Sequence, residues 1–306
     1  MTEAPQAADT RAGFVALIGA PNAGKSTLIN KLVGTKVAIV SHKVQTTRSM
    51  IRGIAMAGAS QIIFVDTPGI FRPKRRLDRA MVDTAWGGAR DADIVALLVD
   101  AAVGLTDDVK ELIGKLAEIG QPKVLLLNKI DVVKRENLLA LTAEANALLP
   151  FERTFMVSAL SGDGLADFVA YLAERVPPGP WLYPEDEVSD VPLRQLAAEI
   201  TREKLFERLH QELPYHATVE TEEWREQKDG SVRVAQTIFV ERESQKKIVV
   251  GAGGAVIKAI SMAARREIAE IAETPIHLFL FVKVRENWAD DPERYRAMGI
   301  EFPKGS

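Results

Sequence analysis

Short apolar runs separated by helical spacings organise the first half of the chain. Residues 14–18 (Phe-Val-Ala-Leu-Ile), 61–65, 94–99, 123–127 and 155–157 read as buried strands. Helical stretches lie between them, among them 27–33, 107–118 and 136–148. Continuous apolar strands alternating with helices predict an α/β domain whose mostly parallel sheet is covered on both faces. Such sheets bind ligands beyond the carboxyl ends of their strands. The polar punctuation falls there: Asp66, Asp100 and Asn128 each close a run.

The pattern changes at Arg175-Val-Pro-Pro-Gly-Pro, which reads as a stiff linker. Beyond it come a helix around 192–210, strands around 215–224 and 231–241, a short strand 247–250, a helix 254–272 and a strand 276–285. Gln227 to Gly230 suits the hairpin loop between the first two strands. This order predicts a second, α+β domain. The expected organisation is a disordered arm 1–12, a first domain 13–177, a linker 178–190 and a second domain 191–306.

Composition narrows the classes. A chain of 306 residues suits about two domains. It contains no cysteine, so disulfide scaffolds, thiolate zinc sites and cysteine nucleophiles are excluded. The four histidines, at 42, 210, 216 and 277, have no zinc-like spacing. The net charge is −3, which argues against bulk basic nucleic-acid binding and leaves room for a local patch. No run of 18 apolar residues and no apolar signal core occur, so a soluble, cytoplasmic protein is expected.

Gly19-Ala-Pro-Asn-Ala-Gly24-Lys25-Ser26 matches the phosphate-loop pattern in full. Its glycines let backbone amides face phosphate oxygens. Lys25 brings a point charge and Ser26 a hydroxyl for Mg2+, at the positive end of a helix. The candidate cradle comprises Gly19, Asn22, Ala23, Gly24, Lys25, Ser26 and Thr27. Asp66-Thr-Pro-Gly69 offers a carboxylate to magnesium and the Gly69 amide to a γ-phosphate. Asn128-Lys-Ile-Asp131 suits guanine. Asp131 accepts from the ring and exocyclic N–H groups, Lys129 lays its stem along the base, and Asn128 complements the carbonyl edge and ties loops together. Ser158-Ala159 is expected to give a backbone N–H to the guanine carbonyl.

In this order the motifs resemble translation-factor-class GTPases. Over about 13–302 the chain resembles the Era family, bacterial GTPases of small-subunit assembly. The resemblance implies GTP/GDP and Mg2+ as ligands and slow intrinsic turnover. It marks Thr47 of Gln45-Thr-Thr-Arg48 as the switch threonine that reaches magnesium, with Thr46 as runner-up. Ser26, Thr47 and Asp66 would then hold the metal. Ras-like proteins often follow Asp-x-x-Gly with a water-orienting glutamine, whereas here Ile70 follows Gly69. Asn22 resembles an asparagine that helps seat K+, so Lys25, Asn22, Thr47 and Gly69 are the expected catalytic set. Residues 71–79 carry five basic residues on the expected second switch.

Residues 190–306 hold 18 basic and 20 acidic residues, net −2. Within 242–266, six basic residues face one acid, net +5, around Gly251-Ala-Gly-Gly254. A Gly-x-x-Gly turn lets a nucleic-acid backbone approach closely. This segment resembles a type II KH module, whose expected RNA contacts are Lys246, Lys247, Gly251, Ala252, Gly253, Gly254 and Lys258. The middle of such loops usually includes a basic residue, which Ala252 and Gly253 lack. The resemblance implies binding to the 3′ end of small-subunit ribosomal RNA and to the small subunit. It also implies a peripheral membrane contact and a monomer. Trp288 is expected to pack on the domain rather than meet RNA. A metabolic phosphate-loop kinase or ATPase is the alternative enzyme class, and a GTP-binding scaffold with little turnover the alternative without one. Asn128 to Asp131 argue against the former, and intact Lys25 and Ser26 against the latter.

Overall fold

A computed structural model describes residues 10–303 except 42, 44–46, 49, 72, 74–75, 210–212, 287, 289–290 and 298–299. His42, Gln45, Thr46, Arg72, Lys74, Arg75 and His210 thus lie outside the described residues. The chain divides into two compact units. One comprises Met1–Ala38, Thr47–Asp190 and Met298–Ser306, the other Ile39–Thr46 and Val191–Ala297.

The first unit runs β1 (Arg11–Gly19), α1 (Lys25–Val33), β2 (Ile51–Ala57), β3 (Ser60–Asp66), α2 (Arg76–Asp91), β4 (Ile94–Asp100), α3 (Asp107–Leu116), β5 (Lys123–Asn128), α4 (Arg135–Leu148), β6 (Arg153–Val157) and α5 (Leu165–Arg175). The sheet order is β2-β3-β1-β4-β5-β6, with only β2 antiparallel to its neighbour. The continuous apolar runs are buried apart from the partly buried Phe14 and Met156, as two covered faces require: Val15 to Ile18 and Leu125 to Leu127 are fully inaccessible.

Three expectations change. β1 begins at Arg11, so the last two residues of the expected arm are strand. Residues 34–53, whose polar sequence with basic ends predicts only a loop, are in part packed and in part strand. Val37, Ala38 and Ile39 are buried, the Asn30 side chain holds the amides of Val37 and Ala38, and β2 starts at Ile51. β2 carries no long apolar run because it is an edge strand. The segment 178–190 is no free spacer either. The Gln61 side chain accepts from the amides of Leu182 and Tyr183 and donates to the Tyr183 carbonyl. Val188 accepts from the Ile54 amide, Ser189 donates to the Arg52 carbonyl, and Asp190 pairs with Arg52 at 2.7 Å. The segment thereby covers an otherwise open sheet edge.

The second unit runs α6 (Leu193–Arg208), β7 (Ala217–Glu226), β8 (Val232–Val240), α7 (Glu243–Val250), α8 (Ala255–Ile271), β9 (Ile276–Val284) and α9 (Pro292–Ala297). Its sheet is β7-β8-β9, antiparallel then parallel. α6 and α8 bury Ala197, Leu205, Ile260, Ala264 and Ile268 in its two clusters. The expected strand 247–250 is instead the end of α7. Its β-branched Ile-Val-Val suggested a strand, but Gln245 reaches back to the amides of Glu241 and Arg242 and starts a helix. That helix buries Val249 and turns Ile248 outward. The segment beginning at Ile39 belongs to this unit: the Val40 amide donates to Glu203 at 2.7 Å, and the Lys43 ammonium donates to the carbonyls of Phe206 and Leu209 at the end of α6. Trp288 is 1% exposed and donates its indole N–H to the His216 carbonyl, so it packs. Among the described residues no single helix is long and apolar enough to cross a membrane.

Candidate functional site

The loop between β1 and α1 is shaped by positions without room for side chains. A Cβ on Gly19 would lie 2.6 Å from the Leu98 carbonyl oxygen. Gly24 has φ 102, and its Cβ would lie 2.3 Å from the Asn128 amide nitrogen. Asn22 has φ 63 and is exposed. α1 has no side-chain cap, so its first amides remain available to an anion. Lys25 is buried and donates to the carbonyls of Gly19 at 3.0 Å and Ala20 at 3.2 Å. Burial lowers its pKa to about 8, against the pull of the nearby Asp66 carboxylate.

Ser26, Thr47 and Asp66 converge beside it. Asp66 Oδ2 accepts the Ser26 hydroxyl at 2.8 Å and the Thr47 hydroxyl at 3.3 Å, and the two hydroxyl oxygens are 2.9 Å apart. Asp66 Oδ1 is buried with no hydrogen-bond partner among the described residues. Burial raises the Asp66 pKa, opposed by Lys25 and the two hydroxyls. A buried carboxylate oxygen with nothing to accept from fits a hard cation at this position. No group of three or more His, Asp and Glu that could hold a metal occurs among the described residues, so hydroxyls, water and phosphate oxygens would complete the shell. Gly69 lies against Pro21, where a Cβ would come within 3.1 Å of its backbone, and the Ile70 amide donates to the Gly19 carbonyl. The Ile70 side chain is packed into the core and presents no polar atom to water.

The residues expected to read the base gather at the ends of β5 and β6. Asn128 is buried and joins two loops: its amide donates to the Ala23 carbonyl at 2.8 Å, and its oxygen accepts the Ala159 amide at 2.9 Å. The Ser158 amide donates to the Asp163 carbonyl. Both amides expected for the guanine carbonyl, and the Asn128 side chain expected at the same edge, are therefore engaged within the protein here. Lys129 donates to Asp100 at 2.6 Å. Asp131 is exposed, on a single 3₁₀ turn over Ile130–Val132. Thr27 lies in the first turn of α1.

In the second unit, Gly251 to Gly254 joins α7 to α8, not a strand to a helix. Gly251, Gly253 and Gly254 have φ 74, 56 and 78. Lys247 and Lys258 are exposed and Lys246 partly so.

Residues 14–129 match the family described as 50S ribosome-binding GTPase, and residues 212–289 match the KH domain family. GTPase Era of Rhizobium meliloti is 68% identical over 298 residues, which cover 97% of this chain and 95% of the relative. The chain belongs to the Era family of GTPases. GTPase Era of Brucella suis is 65% identical over 97% of this chain and 96% of its own length. Two solved Era structures each superpose with a TM-score of 0.90 at 36% identity, covering 95% of this chain and 99% of theirs. One is an Aquifex aeolicus Era variant bound to GDP and AlF4−, and the other is Era with MgGDPNP and nucleotides 1506–1542 of 16S ribosomal RNA.

Proposed function

We propose that this chain is a GTP-driven switch: it binds GTP with Mg2+, hydrolyses it slowly to GDP and phosphate, and binds the 3′ region of small-subunit ribosomal RNA during small-subunit assembly in the cytoplasm. The observation that carries the reading is the convergence of Lys25, Ser26, Thr47 and Asp66 beside loops braced by Asn128. In this reading the glycine-rich loop and Lys25 hold the phosphates. Ser26, Thr47 and Asp66 would hold Mg2+, which neutralises charge developing on the phosphoryl oxygens. Asp131 accepts from the guanine N–H groups, and a purine without them leaves its carboxylate unmatched. Gly69 brings a backbone amide to the γ-phosphate. With Ile70 buried, no side chain at that position activates water, which supports slow turnover.

Equilibrium titration tests the base assignment. The wild type should bind GTP far more tightly than ATP. Asp131→Asn should weaken GTP by at least about tenfold and improve xanthine nucleotides, because the amide matches a carbonyl where guanine carries an amine. Equal wild-type affinity for ATP and GTP refutes the assignment.

Asn22, exposed at the mouth of the loop, supports a K+ beside the phosphates. Hydrolysis should then run faster in potassium than in sodium at matched ionic strength, and Asn22→Ala should erase the difference. Identical wild-type rates in the two salts exclude this cation while leaving the GTPase reading intact.

A further inference from the structure

Asp100 closes β4, and its register partner on β5 is Asn128. Its two carboxylate oxygens have separate duties. Oδ1 accepts the Ala102 amide at 2.9 Å and closes the turn after the strand. Oδ2 accepts the Lys129 ammonium at 2.6 Å. The Asp100 side chain is 17% exposed and that of Lys129 37%, so water screens the pair less than one on open surface. Lys129 adopts φ 67, an uncommon backbone state for a lysine, at the step that leads from β5 into the turn carrying Asp131. Its backbone and its ammonium are thus both fixed between the residue that braces the loops and the residue that reads the base.

We propose that Asp100 is a positioning residue for guanine recognition: it anchors the tip of Lys129 so that the lysine stem is laid out as a wall of the base slot before nucleotide arrives. This rests on the reading of Asn128 to Asp131 as the guanine site. A lysine side chain is costly to order because it has many rotamers. An ammonium tied down in the empty protein has lost much of that freedom already, so less is lost on binding. Asp100 acts only through Lys129. The stem meets the face of the base, whereas Asp131 reads its edge. Loss of the anchor should therefore weaken nucleotides with and without the exocyclic amine by the same factor.

Fluorescent-nucleotide displacement on the full chain tests this with GDP and IDP against four proteins: wild type, Asp100→Asn, Lys129→Met and the double variant. Asparagine keeps an acceptor for the Ala102 amide, and a thermal melt reports whether the turn survives. Methionine keeps an unbranched stem without the charge. Each single variant should lose about fivefold for both nucleotides, the scale of a partly exposed ion pair. The double variant should lose no more than either single one. Wild-type affinity in Asp100→Asn or in Lys129→Met overturns the proposal. So does a further loss when Asp100→Asn is added to Lys129→Met, because the carboxylate would then be acting on the turn. A wild type that binds ADP as tightly as GDP overturns the guanine reading itself. A guanine-selective wild type with an indifferent Asp100→Asn removes only the role of Asp100.

Discussion

Lys25 is held charged at a cost. It is buried, with two carbonyls and one carboxylate near it, and burial brings its pKa down to about 8. Phosphate oxygens favour the ammonium, so bound nucleotide raises that pKa again. The sign of the pH dependence follows. Below about pH 8 the empty site is already protonated, and affinity is flat on this account. Above it, binding must take up a proton, and affinity falls by up to about tenfold per pH unit until the bound-state pKa is reached. GDP titrations between about pH 7.5 and about 9, with calorimetry in two buffers, should show falling affinity and net proton uptake. Pure proton neutrality across that range would contradict a depressed Lys25. Asp66 behaves oppositely: its raised pKa means that acid should remove the carboxylate proposed to hold magnesium sooner than an ordinary carboxylate.

Between α7 and α8 the four residues 251–254 differ in what they tolerate. A Cβ on Gly251 would lie 2.5 Å from a Val256 methyl carbon, and the residue has φ 74, so Gly251→Asp strains the turn whether or not RNA passes it. Gly253 has open space around it but φ 56, so Gly253→Lys costs about 1 kcal/mol of stability. Ala252 is exposed and has no positive φ. Ala252→Lys should therefore tighten single-stranded RNA binding by up to about 1 kcal/mol with an unchanged denaturation midpoint. Gly253→Lys should show the same charge effect with a lowered midpoint. RNA titration beside urea unfolding separates the two, and equal midpoints would show that φ at 253 imposes no cost.

At the scale of the whole molecule, charge is distributed against the average. The chain carries −3 overall, whereas 242–266 carries +5. A field that strong must be local, because salt screens it within about 8–10 Å. Changing Lys246 and Lys247 together to alanine should weaken all single-stranded RNAs and lower the salt dependence by about two phosphate contacts. GTP affinity, measured in parallel without RNA, should not move, since these lysines belong to a different unit from Lys25. An unchanged salt slope would place the RNA contact elsewhere.

What was legible in the sequence is what short-range chemistry dictates. Apolar runs buried on both faces announce parallel strands, and glycines and prolines mark the loops. Gly19 to Ser26, Asp66 to Gly69 and Asn128 to Asp131 are legible as motifs, and close approach explains the glycines at 19, 24 and 69. Other features depend on partners far away in the chain. β2 is a strand because β3 offers it an edge, and residues 178–190 are ordered because Gln61 offers them hydrogen bonds. Residues 247–250 have strand-like side chains, yet they are helical because Gln245 caps the start and the core takes only Val249. The Ala159 amide is engaged by Asn128, 31 residues earlier, and Lys129 is anchored by Asp100, 29 residues earlier. Local propensity is a small energy per residue, and a buried hydrogen bond or packed face outweighs it. The sequence by itself determined the chemistry at the ends of the strands; only the tertiary structure decided which edges, caps and anchors hold that chemistry in place.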